Sequence, residues 1–368
     1  MNTAALTEML KPIGRMFKIP GTLANCTVLT AGNINSTYRM DYLQEDSTQK
    51  SYIAQRINPY VFRHPVEIMK NIDLVTTHIR KKNPKEKPSL HFHHTASGEN
   101  YFCDRTDGSL WRLYTYIPAV TFENNSDLTI LHNAGEAFGE FQMQLSDFDA
   151  SRLFETIPNF HNTKLRLAAL FSHAEEDPCG RAAEIGAELA YIASVRSLSC
   201  RLTQMQEEGK IPLRVTHNDT KINNVLFDPV TKRALAVIDL DPVMPGLAVH
   251  DFGDAVRFGA STAAEDEKDL TRVALDLSKY RAFAEGFIKH TREALWLSEI
   301  ESMALGALTI TVELAARFLD DYLLGDKYFK VCYDRHNLVR ARCQIQLARD
   351  MQKKYDEMCQ IIADLTKE

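Results

Sequence analysis

The segment Val215-Thr216-His217-Asn218-Asp219-Thr220-Lys221-Ile222-Asn223-Asn224-Val225-Leu226-Phe227, followed by Ala236-Val237-Ile238-Asp239-Leu240-Asp241, constrains the fold of this chain more than any other. Two short apolar runs rich in β-branched residues flank a polar insert. Such runs read as buried strands, and a polar loop held between them is aimed at a cleft.

Within the insert, His217, Asp219 and Asn224 have the spacing H-x-D-x-x-x-x-N, and Asp239 closes the next strand-like run. Kinase-type phosphoryl transfer calls for these residue types: a carboxylate to accept the hydroxyl proton, and an amide and a second carboxylate to hold Mg²⁺. Taken singly, Asp and Asn in loops are ordinary turn formers; the compound spacing is what points to chemistry. Asp219 is the candidate base, and Asn224 and Asp239 are the candidate metal ligands. Asp241 is a possible second or water-mediated ligand, and His217 is expected to brace the loop. Asp251-Phe252-Gly253 spells the metal-binding tripeptide of protein kinases, but no β-rich run leads into it. Asp251 is therefore read as a structural acid accepting hydrogen bonds from the catalytic loop.

A chain of 368 residues, 45% of them hydrophobic, suits two lobes with a sizeable core. Its 43 Lys and Arg against 49 Asp and Glu argue against a nucleic-acid partner. Seven scattered cysteines without a C-x-x-C pair indicate neither a disulfide framework nor a zinc site, which fits a reducing cytoplasm. Glu8, Lys11 and Arg15 interrupt the N-terminal apolar pattern, and no apolar run reaches the roughly 18 residues of a membrane span.

Strand signals concentrate early, around Cys26–Val28, Ser36–Met40, Ser51–Ile57 and Trp111–Ile117, after a first helix ending at Pro20-Gly21. Helical patterns dominate later, over roughly 265–292, 297–323 and 338–366. This is an α+β chain of two lobes, a nucleotide-binding lobe at 1–117 and a catalytic, acceptor-binding lobe at 118–368. In Gly32-Asn33-Ile34-Asn35-Ser36-Thr37-Tyr38, Gly32 permits close backbone approach to a phosphate, and Asn35, Ser36 and Thr37 add donors. No G-K-[ST] sequence occurs, which disfavours a Walker-A fold. Where a kinase carries a lysine on its third strand, this chain offers Gln55 or Arg56; alternation lets only one face the cleft, and the sequence leaves open which. Backbone groups of Tyr114 to Ile117, with Tyr116 between, are placed to meet adenine at a hinge.

The Asp219 and Asp239 segments resemble the aminoglycoside phosphotransferase/choline kinase superfamily, whose loop usually reads His-Gly-Asp where this chain has His217-Asn218-Asp219. Over nearly the whole chain the resemblance is closer to the bacterial N-acetylhexosamine 1-kinases. It rests on the glycine segment, Thr216-His217-Asn218-Asp219-Thr220-Lys221, Asp239-Leu240-Asp241, Met244-Pro245-Gly246, Asp251-Phe252-Gly253-Asp254, Arg257-Phe258-Gly259-Ala260-Ser261-Thr262 and Arg317-Phe318-Leu319. The resemblance implies a two-lobed protein-kinase-like fold, with a small β-rich N-lobe and a larger, mainly helical C-lobe. It also implies ATP and Mg²⁺ as cofactors and a sugar bound by Asn33, Asp219, Arg317 and Tyr328. Read from the residues alone, Arg317 lies in an apolar helical stretch and needs a partner, either Asp321 one turn on or substrate oxygens. Kinases for another small alcohol (aminoglycoside, choline, homoserine) and a nucleotide-binding pseudoenzyme are the alternatives.

Overall fold

The computed structural model describes residues 3–30, 34–83, 88–123 and 127–367. They fall into two units, Met1–Ala119 with Arg152–Thr156, and Val120–Ser151 with Ile157–Glu368. The first unit opens with α1 (Thr3–Met16), whose Leu6, Leu10 and Ile13 recur at helical spacing and are buried. Five antiparallel strands follow: β1 (Thr22–Leu29), β2 (Ser36–Leu43), β3 (Gln49–Arg56), β4 (Phe102–Cys103) and β5 (Leu110–Thr115), in the order β1-β2-β3-β5-β4. Between β3 and β4 lies α2 (Pro65–Lys82). Side-chain alternation gives the sheet two distinct faces. Cys26, Met40, Tyr42, Tyr52, Ala54, Trp111 and Leu113 meet α1 in one apolar core. The other face carries Thr37, Gln55 and Arg112, and Arg112 reaches the Met69 sulfur of α2 at 3.9 Å. Residues 152–156 join this unit because the Asn71 side chain brackets the Phe154 backbone, donating to its carbonyl at 2.8 Å and accepting from its N–H at 2.9 Å.

The second unit is helical apart from two short hairpins. Its elements are α3 (Leu128–Gln144), α4 (Thr163–Glu176), α5 (Gly186–Ser199), α6 (Arg201–Glu207), β6 (Arg214–Thr216), β7 (Val225–Phe227), β8 (Ala234–Val237) and β9 (Met244–Gly246). Then come α7 (Ala248–Gly259), α8 (Leu277–Thr291), α9 (Leu297–Glu301), α10 (Met303–Leu323), α11 (His336–Lys353) and α12 (Tyr355–Lys367). Each long helical run expected from sequence is shorter or broken. The run over 265–292 begins only at Leu277, because Asp276 caps it by accepting from the backbone of Ser278 and Lys279. Upstream, Ser261 bridges Leu275 instead of coiling. Turns at Ser302 and Lys354 split the other two runs. Among the described residues no helix is long and apolar enough to cross a membrane.

Helices α3 and α8 pack backbone to backbone through glycine. A Cβ at Gly139 would lie 2.6 Å from the Phe287 carbonyl oxygen, and one at Gly135 would collide with that of Phe283. In an exposed helix Gly→Ala gains about 1 kcal/mol, whereas overpacking a core costs about 1–3 kcal/mol. Gly135→Ala should therefore be destabilising, by about 2 kcal/mol in urea unfolding. A raised midpoint would mean that the helices do not approach this closely.

Candidate active site

The polar loop is held at both ends by strands. β6 pairs antiparallel with β9, Thr216 opposite Met244, and β7 with β8, Val225 opposite Val237. The second pairing brings Asn224, just before β7, to the same hairpin end as Asp239, just after β8. The Ile238 N–H donates to the Asn224 carbonyl at 2.8 Å. Inside the turn, His217 is fully buried between the Phe138 and Phe141 rings, with Nε2 2.8 Å from the Ile238 carbonyl oxygen. It braces the loop.

Asp251, on the first turn of α7, accepts the His217 and Asn218 N–H groups, each at 2.8 Å, and the Gln142 amide at 2.8 Å. Burial pushes its carboxyl above the ordinary range, against the pull of these donors. A strand, β9, does lead into α7 (Met244–Gly246). Three residues with a central proline carry no strand signal in the sequence. Asn218 adopts the left-handed conformation, φ 63°, at the position where the resembling family has glycine. Asn is one of the few side chains that accept this region, and here it is tied down: Oδ1 accepts from Thr216 Oγ1 at 3.0 Å and Nδ2 donates to the Pro242 carbonyl at 2.9 Å.

The Asp219 carboxylate projects from this frame with 28% of its side chain exposed. Lys221 Nζ lies 2.9 Å from Oδ1, and Asn224 Nδ2 donates to Oδ2 at 2.9 Å. Burial works against the Lys221 charge, but Asp219 and Asp254 outweigh it and raise the ammonium above its usual value. Lys221 received no role from the sequence; the signal available was a lysine two positions after the candidate base. With Asn224 Nδ2 spent on Asp219, Oδ1 is the atom left to face a cation. Asp239 is exposed and, like Asn218, left-handed, φ 60°, while Asp241 is buried. An amide oxygen beside an exposed carboxylate suits a hard divalent ion. Among the described residues no group of three His, Cys, Asp or Glu side chains is gathered as a metal cage.

In the first unit Gly32 and Asn33 lie outside the described residues. Asn35 Oδ1 accepts the Asn58 N–H at 3.0 Å, Ser36 is exposed, and Thr37 Oγ1 accepts from Gln55 Nε2 at 3.0 Å. Gln55 in turn accepts from Arg112 Nε at 2.9 Å. Gln55 therefore shares the face of Thr37 and α2. Arg56 points to the opposite face, half exposed and ion-paired with Asp107 at 3.0 Å. The buried cation beside β3 is Arg112, which sequence reasoning passed over because it sits on β5, brought opposite Gln55 only by strand register. Tyr114 packs against Phe92, and Tyr116 lies under Arg39, 4.4 Å from the guanidinium, with its N–H bound to the Ser51 carbonyl. Ile117 is partly exposed.

In the second unit Arg317, on α10, sits among the Phe160, Tyr328 and Phe329 rings at 5.0, 5.8 and 5.5 Å. Asp321 is not its partner: that carboxylate accepts the backbone N–H groups of Lys327, Tyr328 and Phe329 and the Asn337 amide. Among the described residues Arg317 has no hydrogen bond or ion pair. One turn earlier, Glu313 is fully buried and bonds His161 Nδ1 at 2.7 Å and the Thr163 hydroxyl at 2.6 Å. Burial opposes its ionisation, yet His161, His250 and Thr163 hold the carboxyl down at about 2.

A five-stranded antiparallel sheet in one unit, and in the other a helical body carrying this loop and hairpin, define a kinase-like fold. Residues 25–285 match the phosphotransferase enzyme family (APH), and the chain belongs to it. Similar solved structures include a microcompartment-associated aminopropanol kinase, with 13% identity over 96% of this chain and 98% of that one and a TM-score of 0.59. An amicoumacin kinase solved with AMP-PNP and Ca²⁺ shows 12% identity over 95% and 93% of the two chains, TM-score 0.56. A spectinomycin phosphotransferase solved with ADP and spectinomycin shows 16% over 94% and 99%, TM-score 0.52.

Two stability measurements follow from this geometry. Removing the Asp251 carboxylate strands three buried donors, each costing about 1–3 kcal/mol, so Asp251→Ala should lower urea stability by at least about 3 kcal/mol. Glu313 ionises at a pH below its usual 4.5, so its contribution is complete above about 4.5 and is lost as pH falls toward about 2. Glu313→Gln should flatten the fall in melting temperature across that window, and an unchanged acid slope would contradict the buried pairing.

Proposed function

We propose that this phosphotransferase is an ATP- and Mg²⁺-dependent kinase acting on the anomeric hydroxyl of N-acetylhexosamines. One observation carries the sugar reading: Arg317 offers its donors to no protein acceptor among the described residues, within a wall of aromatic rings. The acids around it are already engaged: Glu313 with His161, Asp320 with His173 at 2.6 Å, Asp321 with the 327–329 backbone, and Asp326 with Arg181 at 2.6 Å. A cationic acceptor would need unclaimed carboxylates or an aromatic cage free of a competing cation. A neutral polyhydroxyl compound instead matches a fork of donors over rings. Tyr328, 68% exposed, completes that wall.

Asp219 acts as the base. Lys221 and Asn224 each hold one of its oxygens, which fixes the orientation of the carboxylate that would accept the hydroxyl proton. Asn224 Oδ1 and Asp239 would hold Mg²⁺, which when bound neutralises charge on the nucleotide phosphates. In the first unit the nucleotide role falls to Gly32, Asn35, Ser36, Thr37, Gln55 and the backbone of Tyr114, Tyr116 and Ile117. Asn33 would contribute to the acceptor. An amino alcohol is the second reading, favoured by the aminopropanol kinase among the similar structures.

A coupled ATPase assay over amino sugars, neutral sugars and amino alcohols decides between the two. N-acetylglucosamine or N-acetylgalactosamine should be turned over, with phosphate on carbon 1 by NMR. Asp219→Asn should lower kcat by about 10²–10⁴-fold while the protein melts normally. Arg317→Ala should raise KM for the sugar far more than KM for ATP. Phosphate on carbon 6, or preference for an amino alcohol, would reject the 1-kinase reading.

A further inference from the structure

The segment just before α4 that carries Phe160 and His161 supplies no group to the proposed phosphoryl transfer. Phe160 covers the Arg317 guanidinium at 5.0 Å, and the adjoining His161 ring lies tilted against Phe160, centroids 4.4 Å apart. His161 is anchored from behind: Nδ1 bonds Glu313 Oε1 at 2.7 Å, and the ring edge meets His250 at 5.4 Å. Glu313 and Arg317 are one turn apart on α10 and so lie on the same face of the helix. His161 also interacts electrostatically with Asp254, which in turn interacts with Lys221 beside the Asp219 carboxylate. His161 is thus linked to Arg317 through Phe160 and, through Asp254, to the network that reaches Lys221. Because Nδ1 is committed to Glu313, Nε2 is the nitrogen presented outward. It has no hydrogen-bond partner among the described residues, it is not among the sealed polar atoms without one, and the side chain keeps 13% of its surface exposed.

We infer that His161 is a specificity-determining residue of the acceptor site, its Nε2 binding a hydroxyl of the substrate while Arg317 binds a second oxygen. Glu313 is the positioning residue that fixes the ring. A hydroxyl both donates and accepts, so it meets Nε2 whether the imidazole is neutral or protonated. An ammonium group meets only the neutral form. The inference deepens the sugar reading but needs only a hydroxylated acceptor.

Two isosteric substitutions separate this role from a structural one. His161→Asn places an amide N–H where Nδ1 was, keeps the bond to Glu313 and removes the outer nitrogen. His161→Gln places its amide at Nε2 and gives up the Glu313 bond. With the best acceptor of the wild-type panel, His161→Asn should raise acceptor KM about tenfold, the loss of one hydrogen bond, with ATP KM unchanged and a near-normal melting temperature. His161→Gln should recover part of that loss. A purely structural histidine gives the reverse order, with Asn active and Gln impaired, and that result overturns the inference. So does a His161→Asn acceptor KM within twofold of wild type, a parallel rise in both KM values, or failure of both variants to fold. If the wild type turns over an amino alcohol but no N-acetylhexosamine, the sugar reading fails while the order of the two variants still tests His161.

Discussion

The site depends first on one buried carboxylate. Asp251 has its oxygens committed to two consecutive backbone N–H groups of the catalytic loop and to the Gln142 amide. Consecutive N–H groups converge on one acceptor only when the backbone turns sharply, and here the turn is the left-handed Asn218. That residue type is compatible with the turn, but it is the carboxylate that holds the turn open toward Asp219. Thr220 adds a second tie, its hydroxyl donating to the Asp251 carbonyl at 2.6 Å. The Asp219 carboxylate is thus presented by a rigid element on α7 and not by the loop's own preferences, as the proposed base would require.

Around that anchor the second unit buries several charged side chains, and pairing is what makes their burial tolerable. Arg257 is 4% exposed and lies between Asp254 at 2.8 Å and Glu265 at 2.8 Å; the two carboxylates outweigh burial and keep it charged. Asp254 accepts the Thr220 N–H and interacts with Lys221, so the structural pair and the catalytic loop share one network. Glu313 with His161 repeats the pattern on α10. Against this background Arg317 is a cation that faces rings instead of acids.

Much of the second unit's chemistry was legible in the chain because it is local. The spacing of His217, Asp219 and Asn224 lies within one loop, the apolar runs at 225–227 and 234–237 pair as a hairpin, and the amphipathic helices announce themselves by period. The first unit's β1, β2 and β3 showed for the same reason. Boundaries were less legible: the helix expected from 265 starts at Leu277, since the Ser261–Leu275 bridge joins residues that no local pattern links.

Residue types and spacings by themselves determined the kinase-like class, the candidate base and the acid and amide beside it, since these follow from side-chain chemistry within a few residues of each other. Only the tertiary structure decided which partners those groups have. Register across β3 and β5 turned Gln55 toward Thr37 and set Arg112 against it, while Arg56 went to the other face. Folding spent Asp321 on the 327–329 backbone and left Arg317 among aromatic rings, and it joined His161 to a glutamate far along the chain. These are contacts between distant segments, chosen by burial and hydrogen-bond satisfaction across the whole unit, and a linear pattern carries no record of them.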